Sequence, residues 1–70
     1  MPLLLATKNQ ELSVVHITSD DKTKKHLENL GIIKGAKITI ISKVGNNIIL
    51  KILDSRIAID ENLARNIQVA

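Results

Sequence analysis

The amino-acid sequence contains no cysteine and no aromatic residue, and it has only three glycines and one proline. The lack of cysteine excludes disulfides, thiolate-bound zinc, iron–sulfur centres and thiol nucleophiles. The lack of Phe, Tyr and Trp removes the side chains on which single-stranded nucleic acid, RNA loops and Pro-rich peptides usually stack. The fold must therefore be held together by aliphatic packing alone.

Aliphatic side chains are correspondingly abundant, with twelve isoleucines, nine leucines and four valines among 70 residues. A hydrophobic fraction of 44% excludes intrinsic disorder. A chain of this length has room for one core, so residues 1–70 are expected to form a single domain. Because β-branched isoleucine suits a pleated sheet better than a helix, the composition favours a mainly β fold.

The net charge is mildly positive, at +3, and acidic residues are interspersed with the lysines. No dense basic stripe is present, so nucleic-acid binding is not expected. The opening MPLLLA segment lacks a basic region, and its apolar run is too short for a signal peptide or a membrane span. We therefore expect a cytoplasmic protein.

Short β-branched runs between turn residues predict about five strands. The predicted strands are residues 12–17, 36–43, 48–53, 56–59 and 67–69. One amphipathic helix is predicted over residues 21–30, where a side-chain oxygen of Ser19-Asp20-Asp21 can cap the first turn. Residues 60–65 predict a single helical turn that Asp60 caps.

Three glycines are expected to have a structural role in turns. Gly31 directly follows the predicted helix, Gly35 precedes the next strand, and Gly45 lies in a predicted hairpin. Several short strands joined by tight turns are typical of a small closed barrel, which removes exposed strand edges.

Side chains for catalysis or metal binding are few. No serine lies in a Gly-x-Ser-x-Gly motif and no phosphate-binding glycine loop is present, so no catalytic residue is assigned and no enzyme activity is expected. The residues that could bind a divalent metal ion are His16, Asp20, Asp21, His26 and Glu28. Their spacing matches neither His-x-x-x-His nor a facial set of histidines and carboxylate, so neither a metal site nor another cofactor is expected.

Two features could serve a protein partner. Lys22 and Lys25 lie on the polar face of the predicted helix. Together with Lys24 and Lys34 they either face an acidic partner or the anionic cytoplasmic leaflet, or are simply solvated. Ile32 and Ile33 follow the helix, and two adjacent large aliphatic side chains cannot easily enter one core together. One of these isoleucines is therefore expected to be exposed. The candidate partner-binding residues are Lys22, Lys25, Ile32 and Ile33.

Three segments resemble the FeoA family, small proteins of bacterial ferrous iron uptake. They are Leu27-x-x-Leu30-Gly31-Ile32-x-x-Gly35-x-x-Ile38, Val44-Gly45-Asn46-Asn47-Ile48, and Arg56-x-Ala58-Ile59 followed by Leu63-Ala64-x-x-Ile67-x-Val69. The resemblance implies an SH3-like barrel of about five strands, with one short helix after the first strand and a helical turn before the last. In one departure, Asn9 stands where a turn glycine is common, and asparagine can adopt the same backbone conformation.

The resemblance also implies a function. It predicts a non-enzymatic accessory protein of bacterial ferrous iron uptake that binds the FeoB membrane GTPase transporter and meets the membrane only through that partner. Two alternatives remain open from the residues: a small SH3-like domain associated with nucleic acid, and a stand-alone regulatory module that senses a metal or a peptide. The sequence does not define an oligomeric state.

Overall fold

The structure, a computed structural model, describes residues 1–70 and contains five strands, two α-helices and one 3₁₀ turn. The strands are β1 (Glu11–Ile17), β2 (Lys37–Val44), β3 (Asn47–Ile52), β4 (Ser55–Asp60) and β5 (Ile67–Val69). The helices are α1 (Asp21–Asn29) and α2 (Glu61–Arg65). This order confirms the predicted mainly β fold, with a short helix after the first strand and a helical turn before the last.

All five strands belong to one antiparallel sheet in the order β4-β3-β2-β1-β5. Alternate residues face the inside of the curved sheet, as Ile38 and Ile40 of β2 do with 1% exposure each. The core contains fifteen buried residues, every one of them hydrophobic. Aliphatic packing from every strand thus fills a core that has no aromatic side chain.

Helix α1 begins and ends at the residues that its capping chemistry favours. The Asp20 carboxylate accepts a hydrogen bond from the Thr23 backbone N–H at 2.8 Å. Leu27 is the one fully buried residue of the helix. None of the helices has the length and apolar character that a membrane span requires.

Helix α2 joins the two outer strands of the sheet, β4 and β5. Asp60 caps it, as predicted, by accepting a hydrogen bond from the Leu63 backbone N–H at 2.8 Å. Ala64 is fully buried and contributes to the core. The helical turn therefore covers the region between the two sheet edges.

The predicted end of the third strand is wrong. Strand β3 stops at Ile52, which pairs with Ser55, so Leu53 and Asp54 form a two-residue turn. Leu53 is 85% exposed and has a φ of 54°. An apolar residue continued the hydrophobic run in the sequence, but the backbone has already left the sheet at that position.

The first six residues, to which the sequence assigned no structure, form part of the fold. Residues Leu3–Leu5 form the 3₁₀ turn, and the side chains of Leu3 and Ala6 are buried. Pro2 bridges Gln68 of β5. Met1 and Val69 exchange backbone hydrogen bonds of 3.0 and 2.8 Å. The outer edge of β5 is therefore covered by the chain's own first residues.

Candidate partner-binding surface

The connection from α1 to β2 has a defined backbone geometry. The N–H of Ile32 donates to the carbonyl of Leu27, and the N–H of Gly31 donates to the carbonyl of Glu28, both at 2.9 Å. These two bonds form a Schellman motif, which requires a left-handed residue after the helix. Gly31 supplies it, with a φ of 91°.

A second left-handed glycine turns the chain into β2. Gly35 also has a φ of 91°, and its N–H donates to the carbonyl of Val14 in β1 at 2.7 Å. The Ala36 N–H donates to the Ile33 carbonyl at 2.9 Å, which closes the turn. The segment between the two glycines is thus fixed to both the helix and the sheet.

This geometry separates the two adjacent isoleucines. Ile32 is fully buried in the core, whereas Ile33 is 48% exposed. The expectation that one of the pair is exposed is therefore confirmed, and the exposed one is Ile33. Ile32 belongs to the core, so its side chain is not accessible to a partner, and contact between Ile33 and a partner remains a prediction.

The candidate lysines of α1 lie apart from the concave surfaces of the molecule. Lys22 and Lys25 are both exposed, and neither lines any of the four depressions on the surface. Lys24, between them, lines a depression of about 200 Å³ together with His16 and Glu28. Contact between a partner and Lys22 or Lys25 remains a prediction.

The most voluminous depression, about 540 Å³, lies between the Gly31–Gly35 turn and the β3–β4 turn. We call it the Ile33–Leu53 groove, after the two exposed aliphatic side chains that line it. Lys34 and Lys37 also line the groove. Sequence reasoning singled out Lys34 as a lysine that could face an acidic partner, but it did not assign Leu53 or Lys37 to a site. The sequence signal that could have indicated an exposed apolar side chain was Leu53, a bulky residue beside the turn residues Asp54-Ser55 between two predicted strands.

The potential metal ligands are distributed over separate places. His16 and Glu28 line one depression, and Asp20 lines another. No three histidine, aspartate or glutamate side chains come together. The pKa of Asp20 is lowered because the Thr23 side chain and the Thr23 backbone N–H both hydrogen-bond to its carboxylate. This carboxylate is therefore engaged in capping α1.

The family model of the FeoA domain matches residues 1–70 of the chain. The chain belongs to the FeoA family. Membership implies a role in ferrous iron transport, in agreement with the resemblance carried by the three sequence segments. No curated protein matches the chain significantly.

Solved structures of FeoA proteins share the fold over nearly the whole chain. An iron uptake regulatory protein (FeoA) is 28% identical, with a TM-score of 0.89 over 99% of this chain and 92% of its own. FeoA from Chlorobium tepidum is 21% identical, with a TM-score of 0.90 over 99% of this chain and 68% of its own.

A third structure supplies the description of the fold. Zinc-bound FeoA from Stenotrophomonas maltophilia is 20% identical, with a TM-score of 0.85 over 100% of this chain and 89% of its own. It is described as a prokaryotic SH3 domain protein and a candidate activating factor of ferrous iron transport. The SH3-like barrel expected for this FeoA-family chain is thus confirmed.

Proposed function

We propose that the protein is a non-enzymatic, cytoplasmic accessory protein of bacterial ferrous iron uptake that binds the FeoB transporter. The observation that carries the proposal is the match of the FeoA domain to residues 1–70. A binding role needs no catalytic group, and it agrees with the description of the S. maltophilia relative as a candidate activating factor. The cytoplasmic GTPase region of the transporter is the proposed docking partner.

The surface of the barrel supports a binding role. Ile33 and Leu53 are large apolar side chains exposed on neighbouring turns. Both turns are held by backbone hydrogen bonds to strands or to the helix, so they keep their shape before a partner arrives. A preformed surface loses little conformational entropy on binding, which favours affinity.

The uptake of radiolabelled ferrous iron by the source organism tests the role in transport. Deletion of the gene is expected to lower uptake, and a plasmid-borne copy is expected to restore it. Uptake that is unchanged by the deletion would contradict the proposal. The chain would then share only the fold, and the nucleic-acid and sensing alternatives would take precedence.

Retention by the transporter tests the binding step separately. Immobilised full-length FeoB in detergent, and its isolated cytoplasmic GTPase domain, are expected to retain the purified protein. A matched resin with an unrelated membrane protein controls for nonspecific adsorption. Failure of both forms of the transporter to retain it, with or without guanine nucleotide, would contradict binding even if uptake depends on the gene.

A further inference from the structure

Leu53 combines high exposure with an unfavourable backbone conformation. Its side chain is 85% exposed, and its φ of 54° lies in the region that L-residues other than asparagine and aspartate rarely adopt. Glycine is the usual residue at the first position of such a two-residue hairpin turn. The exposed Leu53 adds nothing to the core, so its side chain is accessible to another molecule.

Ile33 faces the same groove from the turn after α1. Both exposed side chains line the groove together with Ile52, which is only 5% exposed. A Cβ atom on Gly31 would lie 3.5 Å from Cγ2 of Ile52, and a Cβ atom on Gly35 would meet nothing within 4 Å. The volume of the groove, about 540 Å³, accommodates a large side chain.

The charged residues that line the groove are both positive. Lys34 and Lys37 line it, and no carboxylate does. Lys51 lies beside Lys37 in an adjoining depression, which also contains Glu11. The chain's one ion pair joins Arg65 to Glu61, so none of these lysines is neutralised internally. A negatively charged occupant therefore gains favourable electrostatic interactions at this surface.

We propose that the Ile33–Leu53 groove binds a segment of a protein partner that carries a large apolar side chain flanked by carboxylates. The apolar side chain lies between Ile33 and Leu53, and the carboxylates face Lys34 and Lys37. This inference rests on the proposed function, because the partner is then the cytoplasmic GTPase domain of the transporter. It places the contact at two turns rather than on the lysine face of α1.

Binding of single-residue variants tests the apolar part of the groove. Because the chain has no cysteine, one introduced at Asn46 takes a single fluorophore, at the opposite end of β3 from Leu53. The probe is the purified GTPase domain, and the readout is fluorescence anisotropy. Leu53→Ser and Ile33→Ser are each expected to raise Kd about tenfold or more. Leu5→Ser, at a leucine that is 71% exposed outside the groove, is the matched control and is expected to change Kd less than about twofold.

A pair of charge reversals tests the lysines. The double variant Lys34→Glu and Lys37→Glu is expected to raise Kd about tenfold and to weaken the salt dependence of binding. Lys22→Glu with Lys25→Glu makes the same change in net charge on α1, and we expect it to raise Kd less than about threefold. If only the Lys22→Glu, Lys25→Glu variant loses affinity, the proposal that the partner binds at the groove is overturned, and binding at the lysine face of α1 is supported.

The remaining outcomes separate this inference from the proposed function. If the wild-type protein binds the transporter and folded groove variants bind equally well, the groove is not the binding site, and the proposed function stands. If wild-type protein binds neither form of the transporter, the proposed function is overturned, and the groove with it. If Leu53→Ser instead abolishes binding to phosphatidylglycerol vesicles, the surface contacts lipid and the protein-segment proposal is overturned.

Discussion

At the scale of single residues, the structure contains one position where the side chain and the backbone conflict. Leu53 holds a left-handed φ of 54°, yet only a small part of its side chain is covered. Asn9 is the other non-glycine residue with positive φ, at 65°. Asparagine tolerates this conformation through local hydrogen bonding, whereas leucine does not. The cost of the β3–β4 turn is therefore specific to Leu53.

Leu53→Gly is expected to stabilise the protein. Removal of the left-handed penalty gains about 1–2 kcal/mol, while the greater freedom of glycine in the unfolded chain costs about 0.5–1 kcal/mol. The free energy of unfolding should therefore rise by up to about 1.5 kcal/mol. Urea unfolding followed by far-UV circular dichroism measures it, since the chain has no aromatic residue to serve as a fluorescent reporter.

The neighbouring residue provides the control for this variant. Asp54 belongs to the same turn but lacks a positive φ, so Asp54→Gly incurs only the entropic cost and is expected to lower the unfolding midpoint. A Leu53→Gly variant that unfolds at lower urea than the wild type would show that Leu53 is not strained. A stabilised variant with weaker partner binding would show that stability is sacrificed for function at this position.

At the scale of elements, α1 depends on the ionisation of its cap. The Thr23 side chain and backbone N–H lower the pKa of Asp20, so the folded chain binds a proton there less readily than the unfolded chain. Such a carboxylate stabilises the fold above its unfolded pKa of about 3.9, and the contribution is lost as the pH falls through the lower folded value.

Asp20→Asn therefore changes the response to acid. Asparagine also caps helices but does not titrate. The Tm difference between wild type and variant is expected to stay constant from about pH 7 to pH 5 and then to shift against the wild type towards about pH 2. Asp21→Asn makes the same charge change without removing the cap hydrogen bond, and it serves as the control. If the plots of Tm against pH for the wild type and Asp20→Asn stay parallel down to the lowest pH, this role of Asp20 is contradicted.

Local chemistry explains which elements were predictable. The start of α1 at Ser19-Asp20-Asp21, its end before Gly31 and the cap of α2 at Asp60 were predictable, because capping depends on residues that are neighbours in the chain. The structure adds that Asp20 is the residue of the first segment that caps α1. The end of β3 did not follow, because only pairing with β4 shows that Leu53 has left the ladder. The exposure of one isoleucine was predictable, because Ile32 and Ile33 are adjacent in the chain. The groove was not, since it forms where turns distant in sequence come together.

At the scale of the whole molecule, the first residues of the chain complete the barrel. The 3₁₀ turn contacts both α2 and the outer strand β5. Leu3 enters the core with no exposed surface, and Lys43 Nζ of β2 donates a hydrogen bond to the Leu4 carbonyl at 3.0 Å. No local periodicity reveals this role, because it depends on contacts with elements more distant in sequence.

Leu3→Ala is therefore expected to destabilise the whole fold. Truncation of a fully buried leucine costs about 2–4 kcal/mol, and a domain of this size has only about 3–5 kcal/mol of stability to lose. Leu5, two residues away and 71% exposed, provides the control, since Leu5→Ala should change the free energy of unfolding by less than about 0.5 kcal/mol.

The milder Leu3→Met, expected to cost less than about 1.5 kcal/mol, remains measurable if Leu3→Ala does not fold. Urea unfolding by circular dichroism distinguishes the variants. If alanine at either position has the same small effect, the first residues are a peripheral segment and the barrel closes without them.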